Sequence, residues 1–248
     1  MAFKDLFSRQ ATDYARFRPS YPPQLFAWLA AACTDRRLAV DVGAGNGQAA
    51  AGLAPWFEHV IAVDPSDAQL GQGATSPRIS YRTGAAEATG LDEGIADLVV
   101  AAQAFHWFDH PRFFAEVRRV TRPRGVLAFW CYGLAAITPA LDAVVFELYE
   151  KLLGPYWEPE RRLVESGYKT IAVPFDELDV PAFTMNATWS FAALVGYLRT
   201  WSPLKKYAHE RGHDAVDLVL PRLERAWGDD TEHPHEVRWP LHLRAFRL

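Results

Sequence analysis

Residues 38–50 read LAVDVGAGNGQAA and contain the pattern that decides the fold. A short apolar run ends at Asp41, and Gly43, Gly45 and Gly47 follow at every second position before an alanine-rich segment. The order predicts a buried strand, a glycine turn and a helix, and the glycines allow the main chain to approach a ligand closely. Dinucleotide-binding folds use a similar loop. The glycines alone therefore do not identify the ligand.

Outward from this stretch, strand and helix patterns alternate. The predicted strands are RLAVDVG, HVIAVDP, RISYRTG, ADLVVAAQAFHWF and GVLAFWCYG. The predicted helices cover residues 22–33, GQAAAGLAPWF up to Pro55, residues 66–74, and PRFFAEVRRVTRP up to Pro123. Such alternation implies an α/β fold with a parallel, doubly wound sheet and right-handed crossovers.

Several polar residues lie where these strands end. Asp41, Asp64, Glu87 and Gln103 all fall at or just after a predicted carboxyl end. Ligands of doubly wound sheets bind beyond these ends. The four residues are therefore the first candidates for a binding site.

The pattern changes from about residue 134. ITPALDAVVFELYEKLLG predicts a long amphipathic helix and YWEPERRLVESGY a second, so residues 134–170 are interpreted as a helical insertion that roofs the ligand crevice. VPAFTMNATWSF has strand character, residues 190–227 have helical character, and HEVRWPLHLRAFRL predicts a terminal strand. Pro240 in that strand favours an edge or a bulge over an uninterrupted central position.

Composition limits the classes of function. The 248 residues are 50% hydrophobic and carry a formal net charge of -4, which favours one globular domain and gives no electrostatic reason to expect nucleic acid. Cys33 and Cys131 are far apart and suggest neither a disulfide framework nor a metal site. No apolar run predicts a signal peptide or a membrane span, so we expect a cytoplasmic protein.

The residues beside the glycines discriminate between ligands. In the dinucleotide fingerprint G-x-G-x-x-G the third glycine would fall at position 48, which is Gln48 here. Asp41 would repel a pyrophosphate but suits an ammonium group, although an ordinary strand-end cap explains Asp41 alone equally well. Asp64 ends the second strand, from which a carboxylate can bond both ribose hydroxyls. Together these features describe S-adenosylmethionine better than NAD.

VDVGAGNG, AVDPS, GAAEATGL and ADLVVAAQAFHWFD, in this order and spacing, resemble the successive ligand motifs of class I S-adenosylmethionine-dependent methyltransferases. YARFRPSYP and AQAFHWFD are similar to a small-molecule subgroup that includes trans-aconitate methyltransferase. The resemblance implies a Rossmann-like, seven-stranded sheet in the order 3-2-1-4-5-7-6, with the last strand antiparallel. It further implies one domain over residues 1–248, divided into a lid and helix (1–37), a cofactor-binding core (38–132), the helical insertion (134–170) and a substrate-side part (171–248).

The resemblance also assigns residues to the cofactor. It puts Gly43, Gly45 and Gly47 along the methionine part and sugar, and Asp41 near the amino group. Asp64 is expected to bind the ribose hydroxyls, with Gln103 near the methionine moiety. The residues expected at the adenine are Pro65, Ser66, Ala86 and Glu87. Ala85 departs from the acid that many relatives carry, which leaves the contact to the adenine amino group to Glu87 or to backbone.

The remaining candidates concern a lid and the substrate. Tyr14, Arg18 and Tyr21 in YARFRPSYP are expected to fold over the cofactor, with Arg18 facing the cofactor carboxylate or an acidic substrate. His106 is the candidate proton acceptor or substrate-orienting residue because histidine titrates near neutrality. A structural role, stacked between Phe105 and Trp107, explains His106 nearly as well.

Trp107 and Trp201 are candidate substrate contacts with Tyr21 and His106, and Tyr149, Trp157 and Trp189 are further aromatic candidates. No histidine spacing indicates a metal. The expected function is methylation of a small molecule, with oxygen as the favoured atom and a carboxylate as one acceptor. The alternatives are a cofactor-binding protein without catalysis, an NAD(P)-dependent oxidoreductase and, less favoured, a nucleic-acid base methyltransferase. We expect no membrane partner, and a monomer or a homodimer.

Overall fold

The computed structural model describes residues 19–248, and its centre is one mixed sheet. The strands are β1 (Leu38–Val42), β2 (His59–Asp64), β3 (Ile79–Thr83), β4 (Ala96–Ala102), β5 (Thr121–Tyr132), β6 (Asp176–Glu177), β7 (Phe183–Trp189) and β8 (His235–Arg247). Their order is β3-β2-β1-β4-β5-β8-β6, and β7 also pairs with β8. Strands β1 to β5 are parallel, and β8 runs antiparallel to β5.

The expected strand order and the antiparallel last strand are thereby confirmed. One difference is that two strands, β6 and β7, share the outer side of β8. β7 pairs with the first half of β8, whereas β6 pairs only with its last residues. The last position of the expected order, that of strand 6, is therefore occupied by two separate segments.

Helices cover both faces of the sheet. The helices are α1 (Pro23–Ala32), α2 (Gln48–Leu53), α3 (Asp67–Leu70), α4 (His110–Val120), α5 (Pro139–Phe146), α6 (Arg161–Glu165), α7 (Phe191–Arg199), α8 (Pro203–Arg211) and α9 (Ala215–Trp227). Short 3₁₀ turns span Phe105–Trp107 and Gly154–Tyr156, and α5 continues into a π-helical turn over Glu147–Leu152. The predicted helix over ITPALDAVVFELYEKLLG is therefore present, but its second half is more loosely wound.

Residues in the sheet alternate between two cores. In β1, Ala39 packs in the core under α1 and α2, whereas Val40 and Val42 pack in the core that includes Phe113 and Val117 of α4. Because successive side chains of a strand point to opposite faces, a strand covered on both sides has an almost continuous apolar sequence. This explains why the run before Asp41 is apolar without interruption.

Two prolines lie inside strands. β5 begins at Thr121, before the predicted start at Gly125, and includes Pro123. The register of its pairing with β4 shifts between Ala96 and Leu98 of β4. In the β5 segment opposite this shift, Arg124 has φ 65°. This bulge accommodates a residue that has no N–H to donate.

Pro240 lies in an inner strand, because β8 is paired on both sides. The expectation of an edge position is therefore wrong for the strand as a whole. Pairing with β5 starts only at Leu241, so Pro240 is paired with β7 alone. The absent N–H is tolerated at this one-sided point of the ladder.

Cys33 and Cys131 are free, buried thiols. Within residues 19–248, no group of three His, Cys, Asp or Glu side chains is placed to hold a metal ion. No helix in the same residues has the length and apolar character that a membrane crossing requires.

Candidate functional site

A cavity of about 320 Å³ opens beyond the carboxyl ends of β1, β2 and β4. The glycine loop after β1 contributes to its lining, and so do the segments that follow β2, β3, β4 and β5. Trp157, Arg161 and Trp201 from the helical segments also line it. Sequence candidates that line the cavity are Tyr21, Gly43, Gly45, Asp64, Pro65, Ala86, Glu87, Gln103, His106, Trp107 and Trp201. Topology therefore brings most candidates to one place.

Asp64 is held firmly at this cavity. Its Oδ2 accepts a hydrogen bond from the Gly45 N–H (2.9 Å) and its Oδ1 accepts one from the Ser66 N–H (2.8 Å). The Ser66 Oγ in turn accepts the Gln69 N–H at the start of α3. Each carboxylate oxygen has two lone-pair sites, so these bonds orient the group and leave acceptor capacity for ligand hydroxyls.

Asp41 lies beneath the glycine loop and does not line the cavity. Its side chain is fully buried, and Oδ2 accepts the Ala50 N–H of α2 at 2.9 Å. Oδ1 has no hydrogen-bond partner among the described residues. Burial raises the pKa of Asp41 to about 7, against the opposing effect of the Ala50 N–H. Asp41 thus supports the loop from below.

The glycine loop packs closely on the segment that follows β4. Gly43 has φ 67°, and a Cβ there would lie 2.7 Å from the Ala104 Cβ and 3.0 Å from the Phe108 ring. Gly45 also has a positive φ (56°), but a Cβ there would meet nothing closer than the Gln69 Oε1 at 3.9 Å. Gly43 therefore serves packing, and Gly45 leaves space for a ligand. Gly47, the N-cap of α2, does not line the cavity.

Glu87 joins two of the lining segments. Its Oε1 accepts the backbone N–H of Asp109, the N-cap of α4, at 2.7 Å. Ala86 beside it is buried, whereas Ala85 is exposed and also lines the cavity. Glu87 is thus a structured part of the wall, unlike a solvated loop acid.

Gln103 directly follows β4 and has a left-handed conformation, with φ 53°. Its side-chain Oε1 accepts the Tyr132 N–H (2.9 Å) and its Nε2 donates to the Tyr132 carbonyl (3.3 Å). The side-chain amide therefore continues the pairing of β4 with β5, and the backbone turns into the cavity wall. A non-glycine residue in this region of φ is uncommon and often marks a functional site.

His106 follows in the 3₁₀ turn and is buried at the cavity. Its Nδ1 lies 2.8 Å from the hydroxyl of Tyr168, and its ring centroid lies 4.7 Å from that of Trp107. Burial, then the positive charge of Arg161, lowers the pKa of His106 to about 3. The imidazole in this environment is therefore neutral at pH 7, unlike an exposed histidine.

Arg161, at the start of α6, was not among the sequence candidates. Its guanidinium lies over the rings of Trp157 (4.8 Å) and Tyr149 (5.3 Å), and its Nε donates to the Tyr149 hydroxyl at 2.9 Å. The aromatic residues of YWEPERR were the available signal, because an arginine close to tryptophan in sequence can stack on it.

Aromatic side chains form much of the remaining wall. Tyr21, Trp107, Trp157 and Trp201 line the cavity, and Trp201 packs against Trp157 with ring centroids 5.8 Å apart. Tyr149 lies behind these two rings and does not line the cavity. Trp189 does not line it either and packs on Trp239. Tyr14 and Arg18 lie outside the described residues.

The lining residues fit a nucleoside with a cationic side chain better than a dinucleotide. The anchored carboxylate of Asp64 offers acceptors for hydroxyl groups, and the open side of Gly45 gives room for the chain to pass. Among the lining residues of the described part, Arg161 of the helical segments is the sole cation. The glycine loop itself contributes no lysine or arginine for a pyrophosphate.

Comparisons with known proteins agree with this geometry. The family model described as a methyltransferase domain matches residues 40–129. A Dictyostelium discoideum protein named as a methyltransferase is 33% identical over 97% of this chain and 94% of its own length. A Saccharomyces cerevisiae protein named as an S-adenosylmethionine-dependent methyltransferase is 32% identical over 93% of this chain and 92% of its own.

Solved structures are similar as well. One from Anaeromyxobacter dehalogenans, described as a type II methyltransferase, superposes with a TM-score of 0.87 at 47% identity and covers 93% of this chain and 98% of that chain. A Haemonchus contortus phosphoethanolamine N-methyltransferase with bound S-adenosylhomocysteine has a TM-score of 0.52 at 16% identity, over 100% of this chain and 60% of that chain. The second likeness concerns the fold alone.

Proposed function

The chain belongs to the S-adenosylmethionine-dependent methyltransferases, and from this premise we propose that it methylates a carboxylate oxygen of a small molecule. The cofactor is S-adenosylmethionine. A place within the small-molecule subgroup that resembles trans-aconitate methyltransferase is part of the proposal, on the basis of YARFRPSYP and AQAFHWFD. The acidic net charge supports a small acceptor over nucleic acid.

The proposed cofactor site uses the residues around the glycine loop. When bound, S-adenosylmethionine supplies an electrophilic methyl group on a sulfonium. Asp64 binds the ribose hydroxyls, and Gly43 and Gly45 lie along the sugar and methionine part. Pro65, Ala86 and Glu87 line the adenine, and Gln103 contributes near the methionine end. Support for this set comes from the shared cavity and from the two backbone donors that orient Asp64.

Three residues keep indirect roles in the proposal. Gly47 and Ser66 stabilise the loops around the nucleoside, because each is the N-cap of a helix and is next in sequence to a lining residue. The carboxyl group of Asp41 does not line the cavity, so its contribution to binding the amino group of the cofactor is indirect. It supports the glycine loop from below through its bond to the Ala50 N–H.

The observation that supports a carboxylate acceptor is the surroundings of His106, which is buried and has its Nδ1 bonded to the Tyr168 hydroxyl. A group with a pKa of about 3 is a weak base at pH 7 and removes a hydroxyl proton inefficiently. A carboxylate is already ionised near neutrality and attacks without losing a proton. His106 instead orients the acceptor through Nε2, the ring nitrogen that Tyr168 leaves to a ligand.

The aromatic wall serves the same reaction. An in-line displacement needs the two reactants in contact and water excluded. Tyr21, Trp107, Trp157 and Trp201 provide flat apolar surfaces that can hold the acceptor against the donor and keep solvent out.

A methyl-transfer screen tests the proposal. The enzyme is incubated with methyl-labelled S-adenosylmethionine and pools of small carboxylic acids, phenols and amines, and the products are then treated with mild alkali. A carboxyl methyl ester releases its label as volatile methanol, whereas methyl ethers and methylamines keep it. We expect alkali-labile label from the acid pool. Alkali-stable product from the phenol or amine pool would refute carboxylate methylation.

A further inference from the structure

Arg161 is fixed in one orientation at the cavity by two aromatic rings and one hydrogen bond. The guanidinium lies over Trp157 and Tyr149, and Nε donates to the Tyr149 hydroxyl at 2.9 Å. That hydroxyl donates in turn to a carboxylate oxygen of Glu165. Nε is thereby used, while the Nη atoms, which form the outer edge of the guanidinium, make no hydrogen bond to a described residue.

No carboxylate of residues 19–248 forms an ion pair with Arg161, although acids are close in sequence. Glu158 pairs with Lys206, and Glu165 accepts the Tyr149 hydroxyl. Glu160 also lines the cavity and forms no ion pair with Arg161. Elsewhere in residues 19–248, Arg244, which is half-buried like Arg161, pairs in a bidentate manner with Glu177. A preorganised guanidinium without an anion, at the wall of an aromatic cavity, has the geometry of an anion-binding group.

The position of Arg161 favours the acceptor as the source of this anion. Arg161 and Trp157 belong to the helical part, not to the loops after β1 and β2 that contain Gly45 and Asp64. The charge of Arg161 also acts on His106, since it lowers the pKa of that imidazole. Helix α6, which begins at Arg161, packs against the 3₁₀ turn Phe105–Trp107, so Arg161 lies on the His106 side of the cavity.

We propose that Arg161 determines acceptor specificity by binding a carboxylate of the acceptor through its two Nη atoms. This inference rests on the proposed function for the identity of the acceptor side. Tyr149 acts as a positioning residue, because its hydroxyl fixes Nε and its ring supports the guanidinium. A neutral acceptor would leave the arginine without its partner in a partly desolvated site, which disfavours binding of neutral analogues.

Calorimetry on the full chain loaded with S-adenosylhomocysteine tests this inference. The probes are a panel of small mono-, di- and tricarboxylates and their carboxamides. Arg161→Gln removes the charge, and Arg161→Lys keeps it without the planar fork. Arg162→Gln is the matched control, because Arg162 is the next residue of α6, is exposed and does not line the cavity.

We expect wild type to bind at least one carboxylate and none of the carboxamides at comparable strength. Arg161→Gln should weaken carboxylate binding about 10- to 100-fold, Arg161→Lys should weaken it less, and Arg162→Gln should leave it unchanged. Tyr149→Phe, which retains the charge and the ring, should weaken it several-fold. The affinity for S-adenosylhomocysteine should stay within about twofold in every variant.

Several results would overturn the inference. These are equal carboxylate binding by Arg161→Gln and Arg162→Gln, equal binding of carboxamides and carboxylates, and no carboxylate binding by wild type. A loss of S-adenosylhomocysteine affinity in Arg161→Gln with unchanged carboxylate binding would assign the arginine to the cofactor's own carboxylate. Arg161-dependent carboxylate binding without any methyl transfer would uphold the inference and refute the proposed function, so the two failures are distinguishable.

Discussion

The hydroxyl of Tyr168 lies 2.8 Å from Nδ1 of His106 and connects the end of the helical insertion to the turn after β4. Tyr168 is fully buried and has φ 60°, and its N–H donates to the Leu163 carbonyl at 2.9 Å. Burial raises the pKa of the Tyr168 hydroxyl well above its usual value, and the nearby His106 backbone opposes that rise. When the imidazole proton is on Nε2, the phenol donates its own proton to Nδ1.

Tyr168→Phe removes this bond and leaves a buried ring nitrogen without a partner. We expect a loss of about 1–3 kcal/mol in the free energy of unfolding and a lower kcat, because the imidazole is no longer held in one orientation. Cofactor affinity should be unchanged. Urea unfolding, calorimetry and the methyl-transfer assay measure the three quantities.

Tyr207→Phe is the control for that variant. Tyr207 pairs with His213 at 3.5 Å, and neither residue lines the cavity. This variant should keep wild-type kcat. A Tyr168→Phe enzyme with unchanged kcat would show that the orientation of His106 does not matter for turnover.

The low pKa of His106 makes stability depend on pH. Folding lowers this pKa from 6.5 to about 3, so the unfolded chain binds more protons between these values. His106 therefore reduces the stability of the fold as the pH falls from about 6.5 toward 3. His106→Asn cannot gain a charge there. Urea unfolding at pH 7.5 and pH 5 should show a smaller loss for His106→Asn than for wild type, and parallel losses would contradict the assignment.

Asp41 has the opposite effect on stability. Folding raises its pKa from 3.8 to about 7, so the folded chain binds more protons in this window, and stability falls as the pH rises through it. Asp41→Asn cannot ionise and still offers an oxygen to the Ala50 N–H. We expect the free energy of unfolding of Asp41→Asn to exceed that of wild type at pH 8, and the difference to shrink toward pH 5. If wild type is instead more stable than Asp41→Asn at pH 8, the carboxylate of Asp41 is stabilised in the fold.

The two cavity-lining glycines of the loop should respond differently to alanine. Gly43→Ala adds a Cβ that clashes with Ala104 as well as the cost of a positive φ, which is about 1–2 kcal/mol. Gly45→Ala has the conformational cost without the clash, but its methyl group projects into open space at the cavity. Thermal unfolding should therefore rank Gly43→Ala as less stable than Gly45→Ala. Calorimetry should find weakened S-adenosylhomocysteine binding for Gly45→Ala, and wild-type affinity would place the cofactor away from Gly45.

The sequence pattern predicted the individual strands and helices, because these depend on residues that are close together in the chain. The alternation of β1 to β5 with helices follows from short apolar runs and helix formers, whereas the strand order came from the resemblance to a family. The bulge around Pro123 and the two-residue β6 depend on pairing with distant strands. The inner position of β8 has the same origin, because β7 and β5 pair with different parts of this strand; Pro240 itself lies where only β7 pairs, in agreement with the expectation that it avoids an uninterrupted central position.

The same distinction applies to the site. Asp64 and Gln103 were predictable because parallel strands bring their carboxyl ends together. The pKa of His106 and the burial of Asp41 depend on packing that no spacing encodes. Arg161 could not be predicted, because its stacking against Trp157 and its lack of an ion pair with any residue of 19–248 are tertiary features.

Calorimetric titration of wild type and Asp64→Ala with S-adenosylmethionine and with NAD tests most directly whether Asp64 binds S-adenosylmethionine. Asp67→Ala is the matched control, since Asp67 lies three residues further on and outside the cavity wall. Wild type and Asp67→Ala should bind S-adenosylmethionine and not NAD, and Asp64→Ala should bind S-adenosylmethionine about 10- to 100-fold more weakly. Unchanged S-adenosylmethionine affinity in Asp64→Ala, or preferential binding of NAD, would contradict this assignment.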